Sequence, residues 1–147
     1  MYVKFFEGSI NSARYMEIVE EFYDEFLNEQ DRNEVWFQQD GAPPHRSAVT
    51  TAFLNDKFGA RCINNATIPV AGRWPPRSPD LTVCDWFING VIHDRVFKAN
   101  PVDMNELKTS IQCICDSIPL LTLRDVFLKQ HLRLQKCIAL LGGHIEV

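Results

Sequence analysis

Two aspartates set the chemical question. Asp40 closes the β-prone run Glu34-Val35-Trp36-Phe37-Gln38-Gln39, and Asp85 stands in the otherwise apolar stretch Cys84-Asp85-Trp86-Phe87-Ile88. A carboxylate beside a core costs several kcal/mol, on the order of the penalty for buried ions, unless it is paired, hydrogen-bonded or bound to a cation. Mg²⁺ supplies that compensation, because it is a hard ion held by one or two protein carboxylates plus water and phosphate oxygens. The simpler alternatives stay open. Asp40 before Gly41 also suits a turn in which the side chain bonds nearby backbone, and Asp85 suits the first turn of a helix, favoured by the dipole.

Other residue types point towards anions. Lys129, Arg133 and Lys136 recur at spacings of four and three and would form a basic stripe for phosphates, or merely a solvated outer face. Trp74 and Arg77, among Pro75, Pro76 and Pro79, read either as a stiff strand-binding loop in which ring and guanidinium stack on bases or as rigid packing. His45 follows a proline pair, where it either reaches Asp40 or is a loop residue. Asp80, just after Ser78-Pro79, reads as helix-start chemistry.

The elements that must position these groups follow an α/β rhythm. Val3–Phe6 is a short aromatic run stopped by Gly8-Ser9 and predicts a strand. Met16, Val19, Phe22, Tyr23, Phe26 and Leu27 give an amphipathic helix over 12–28, its acidic side solvated. A strand over 35–39 ends at Asp40. Ser47 caps a helix running to Phe58, with Val49, Ala52, Phe53 and Phe58 inward and Gly59 as its stop. Cys62–Pro69 is a weaker strand, 70–79 a loop, and a helix from Asp80 or Leu81 towards Phe97 carries Leu81, Cys84, Ile88, Val91 and Ile92 on one stripe. Asp103 and Glu106 start another helix in the manner of a capping box. Thr122 and Asp125 do the same for the last, with Leu123, Phe127, Leu134, Ile138 and Leu141 inward and Gly142-Gly143 closing it.

Composition bounds the answer. With 147 residues, 46% hydrophobic and 23% charged, the chain has the size and make-up of one globular domain over 1–147. Five cysteines at irregular positions form neither a disulfide framework nor a zinc pair and read as buried thiols in a reducing compartment. A net charge of −4 argues against wrapping nucleic acid by sheer basicity. The imbalance is local, however: residues 1–34 hold nine acidic and three basic groups, so the remainder is mildly basic. No long apolar run or signal-peptide pattern appears, which predicts an intracellular chain without a membrane partner.

Read together, the words become specific. Val35-Trp36-Phe37-Gln38-Gln39-Asp40-Gly41-Ala42-Pro43-Pro44-His45, followed by Trp74-Pro75-Pro76-Arg77-Ser78-Pro79-Asp80-Leu81-Thr82-Val83-Cys84-Asp85-Trp86-Phe87, closely resembles the catalytic core of mariner-like transposases of the Tc/mariner group. The opening Phe5-Phe6-Glu7-Gly8-Ser9-Ile10-Asn11 and the tail through Leu132-Arg133-Leu134-Gln135-Lys136, with Gly142-Gly143-His144, extend the likeness over nearly the whole chain.

The resemblance implies a ribonuclease-H-like α/β fold with C-terminal helices, in which three acids hold two Mg²⁺ or Mn²⁺ ions for cleavage and transfer of DNA strands. Asp40 would be the second acid and Asp85 the third, and their separation is longer than in the typical mariner element. The family's first acid lies upstream of the segment matched by Phe5-Phe6-Glu7, and this chain begins after that point. The expectation is therefore an incomplete fold lacking its first two strands, with a gap between the Val3–Phe6 and Val35–Gln39 strands. It would bind DNA in the nucleus, or stay cytoplasmic if unassembled, self-associate through exposed sheet edges, and be inactive alone. Its alternatives are a non-catalytic DNA-binding remnant and a decayed product without function.

Overall fold

The computed structural model describes residues 1–65 and 73–145. Over these residues it is a mixed α/β structure, mostly helical, with one parallel pair of strands. Its contacts separate into two compact units, one formed by Lys4–Arg77 with Tyr2 and the other by Ser78–Val147 with Met1 and Val3.

In the first unit, helix α1 (Ser12–Phe26) starts where Asn11 Oδ1 accepts the Arg14 N–H at 3.0 Å. The Arg14 guanidinium reaches back to the carbonyls of Glu7 and Ser9, tying down the turn at Gly8. A short helix α2 (Glu29–Glu34), absent from the sequence reading, is made by a reciprocal capping box between Asn28 and Asp31. Strand β1 (Phe37–Gln38) then leads through a 3-10 turn (Pro43–Arg46) into helix α3 (Ala48–Phe58) and back to strand β2 (Cys62–Ile63). The strands are parallel, with Phe37 opposite Cys62 and Gln38 opposite Ile63. Such a pair requires a crossover, and α3 supplies it. Val19, Leu54, Phe58 and Cys62 form the core, and Phe58 meets the rings of Phe37 at 4.7 Å and Tyr23 at 5.4 Å.

Several expectations are corrected here. Val3–Phe6 forms no strand, so the central gap expected between it and Val35–Gln39 does not arise. The run is anchored instead by Tyr2 against Phe22 and Phe26 and by the Lys4–Glu21 ion pair. The strand over 35–39 shrinks to its two paired residues, Trp36 being 66% exposed. Ser47 does cap α3, and Gly59 with φ 55° does end it, but the buried face is Thr50, Leu54 and Phe58 while Val49 and Ala52 face out. Thr50 is tolerated inside because its hydroxyl donates to the Pro44 carbonyl and accepts from Ser47 Oγ, both at 2.8 Å. Among the described residues the expected strand over 62–69 appears as β2, and its positions 66–69 lie outside them.

In the second unit a 3-10 turn (Pro79–Leu81) precedes a π-helical turn (Cys84–Ile88), which continues into helix α4 (Asn89–Ala99). The single helix expected from Asp80 is thus broken at Thr82. Asn100, left-handed at φ 49°, ends α4 before Pro101. Helix α5 (Met104–Ser117) begins as expected at Asp103, whose Oδ1 accepts the Glu106 N–H, although Glu106 reaches back to the Val102 N–H rather than to Asp103. Helix α6 (Leu120–Ala139) starts after Pro119, with no side-chain cap, so Thr122 and Asp125 lie within it. Its inward side is Leu123, Val126, Gln130, Arg133, Leu134 and Cys137, whereas Phe127, Ile138 and Leu141 are exposed. Gly142, at φ 86°, closes it by donating to the Cys137 carbonyl.

Of the five thiols, Cys62 and Cys115 are buried and Cys137 is half-buried, but Cys84 and Cys113 are exposed, which corrects the reading of all five as buried. No helix among the described residues is long and apolar enough to cross a membrane.

Candidate functional site

Asp40 lies two residues beyond the carboxyl end of β1, the end at which parallel α/β units gather their ligands. Its Oδ1 accepts the Ala42 N–H at 3.1 Å, the turn expected of Asp before Gly, and pairs with His45 Nδ1 at 2.6 Å. A carboxylate oxygen only accepts, so the hydrogen of that pair sits on Nδ1. Among the described residues Oδ2 takes no hydrogen bond, and the side chain is 45% exposed. One oxygen thus builds the turn weighed for Asp40, and the other takes no part in it.

The 3-10 turn brings His45 back towards Asp40, and the helices behind it hold the ring. Tyr15 on α1 lies against the imidazole with centroids 4.2 Å apart, and its hydroxyl donates to Gln39 Oε1 at 2.5 Å. Gln39 Nε2 in turn donates to the His45 carbonyl at 3.0 Å. Burial, then the Cys62 and Asp40 charges, push the Tyr15 phenol far above its ordinary 10.0, so it stays protonated and keeps the hydrogen it donates to Gln39. Burial also raises Cys62, against the lowering effect of a hydrogen bond from Asn64. Gly41 belongs to the same arrangement, since a Cβ there would come 3.1 Å from Asn65 Nδ2.

Asp85 is exposed rather than set beside a core, which removes the desolvation argument for a bound cation there. It occupies the first turn of the π segment and its Oδ1 accepts from Asn89 Nδ2 at 3.1 Å, the helix-start role weighed for it. Among the described residues the buried carboxylate of this unit is Asp80, 8% exposed, whose Oδ2 accepts the Ile145 N–H at 3.0 Å and pairs with His144 at 3.2 Å. Asp40 belongs to the first unit and Asp85 to the second, and among the described residues no three His, Cys, Asp or Glu side chains converge as a metal cage.

The basic stripe is gathered by the structure. Lys129, Arg133 and Lys136 line one cavity of about 470 Å³ together with Trp86, Leu132, Gln135 and Ala139. Arg133 donates from Nε to the Asp80 carbonyl at 2.7 Å, and its guanidinium carbon lies 4.9 Å from the Trp86 ring centre. Trp86 is pinned by its Nε1–H, which donates to Gln130 Oε1 at 3.0 Å, while Gln130 Nε2 donates to the Leu81 carbonyl at 2.6 Å. Neither Trp86 nor Gln130 was singled out from sequence. The available signal was Gln130 itself, a polar residue four positions from Val126 and from Leu134 on an apolar stripe.

Trp74 is buried, which is the packing alternative and corrects its reading as an open stacking platform, and its backbone N–H donates to the Asn64 carbonyl. Arg77 is exposed, on a backbone held at φ 57°. No family model, curated protein or solved structure matches the chain.

Proposed function

We propose that this chain is a transposase-type catalytic segment that handles DNA and carries two of that family's three metal-binding acids, Asp40 and Asp85. The observation that carries the reading is Asp40 at the carboxyl end of a parallel strand–helix–strand unit, with one oxygen fixed by Ala42 and His45 and the other unengaged among the described residues. A hard divalent ion suits such a donor, with water and phosphate completing its shell. Asp85 is the second carboxylate of the proposal, Mg²⁺ or Mn²⁺ the ion, and DNA the substrate class. Two acids without the third do not make a two-metal centre, so these residues alone are expected to bind metal and DNA without cutting. Nuclear location and self-association belong to the same proposal.

The test is Mn²⁺ titration followed by magnetic resonance, with and without duplex DNA. Asp40→Asn should abolish Mn²⁺ binding and leave salt-sensitive DNA binding in place. Unchanged Mn²⁺ binding in that variant would refute the metal role, and metal-dependent nicking that disappears in Asp40→Ala would refute inactivity. The second reading, a DNA-binding remnant without catalysis, is favoured by the cationic cavity at Trp86; it expects no Mn²⁺ binding but retains the salt dependence.

A further inference from the structure

The cavity of the second unit has features that a solvated lysine face lacks. Among the described residues its lining brings three cations to one indole and includes no acidic side chain. Lys129 and Lys136 are exposed and stand two helical turns apart, roughly 10 Å along the axis, a span suited to successive anionic groups rather than to one carboxylate. Arg133 is held by the Asp80 carbonyl, and its Nη2 is buried with no hydrogen-bond partner among the described residues. So enclosed, that nitrogen does not meet a ligand directly, and Arg133 contributes its fixed positive charge at the cavity wall.

The indole is equally prepared. Gln130 fixes its edge and is itself fixed by the Leu81 carbonyl, so the ring orientation is set by two hydrogen bonds before anything binds. At about 470 Å³ the cavity falls within the range of small-molecule pockets, about 300–1,000 Å³. An aromatic plane with adjoining cations matches the chemistry of a nucleotide: the base stacks, and the phosphates take the charges. In a duplex the bases are already stacked and paired, so the form that fits is a single strand.

We propose that the cavity at Trp86 receives an unstacked nucleotide of a single-stranded nucleic acid, its base against the indole and its phosphates on Lys129, Arg133 and Lys136. The inference shares with the two-acid reading proposed above only the nucleic-acid partner, and it needs no metal. It is therefore tested in EDTA, where failure of the two-acid reading has no effect.

Fluorescence anisotropy with a labelled oligothymidylate and with a duplex of equal length provides the measurement. Trp86→Ala should weaken oligothymidylate binding roughly 5- to 150-fold and leave the duplex unchanged, and Trp86→Phe should recover most of the loss. Lys136→Ala, at an exposed position, should lower the single-strand salt slope by about 0.7. Equal losses for both DNA forms in Trp86→Ala would overturn the stacking role. If Trp86→Ala does not fold, the double change Lys129→Ala with Lys136→Ala decides, since unaltered single-strand affinity there overturns the site. Competition by polyglutamate as effective as that by oligothymidylate would overturn it too, indicating an acidic-peptide site instead.

Discussion

Val19, Leu54, Phe58 and Cys62 are at most 3% exposed around the strand pair of the first unit, while in the second Phe97, Leu120, Leu121 and Leu128 are about 70% exposed along their helices. The two units therefore hold their candidate sites by different means. Asp40 and His45 rest on an aromatic core in which Tyr15 and Phe37 pack directly. Trp86 is held by the side chains of Gln130 and Arg133 bonded to the backbone of one 3-10 turn. The contrast implies that the first site fails through lost packing and the second through lost hydrogen bonds.

The largest effect that can break this comparison lies in the core. Phe58→Ala should cost about 3–5 kcal/mol and Leu54→Ala about 2–5 kcal/mol in urea unfolding, because each leaves a cavity among buried rings. Leu128→Ala, on the exposed side of α6, should stay within about 0.5 kcal/mol. A Leu128 loss as large as that of Leu54 would show that the outer face of α6 is packed in solution and that the units do not differ as described.

A smaller effect sharpens the other half. Gln130→Leu keeps the volume but deprives the Trp86 N–H and the Leu81 carbonyl of their partner, at about 1–3 kcal/mol. Because the indole loses its fixed edge, its fluorescence should shift while the Asp40–His45 pair, followed by the imidazole resonances of His45, stays as it was. A stability loss with no change in tryptophan emission would mean that Gln130 does not orient the ring.

How much of this was readable follows the same division. Local rules located α1, the Ser47 cap, the Gly59 stop and the Asp103 cap, because each depends on neighbours within a few residues. Helix α2 was equally local, written in Asn28 and Asp31, and was missed because the adjoining aromatic run read as strand. The faces of α3 and α6 were misjudged at Thr50, Gln130 and Arg133, where a polar side chain turns inward because a distant carbonyl accepts its hydrogen. Pattern reading assigns such residues to solvent, since the partner lies elsewhere in the chain. For the same reason the turn at Asp40 was legible from Asp-Gly, whereas the Tyr15–Gln39–His45 support behind it was not.

That support supplies the smallest prediction, and it concerns pH. The Tyr15 phenol is raised above its ordinary 10.0, chiefly by burial and further by Cys62 and Asp40. In the unfolded chain it loses its proton near 10, while in the folded chain it keeps it. Above pH 10 the folded state then binds more protons than the unfolded one, so stability present below pH 10 is lost as pH rises, by at most about 1.4 kcal/mol per unit. Tyr15→Phe removes that dependence and costs about 1 kcal/mol at neutral pH through the lost hydrogen bond to Gln39. Cys62, raised by burial from 9.0, titrates in both proteins and largely cancels in the difference. Urea unfolding from pH 8 to 11 should give curves that run parallel up to about pH 10 and converge beyond it. Curves that stay parallel to pH 11 would mean that the phenol is solvated and that His45 is not backed by a neutral, donating tyrosine.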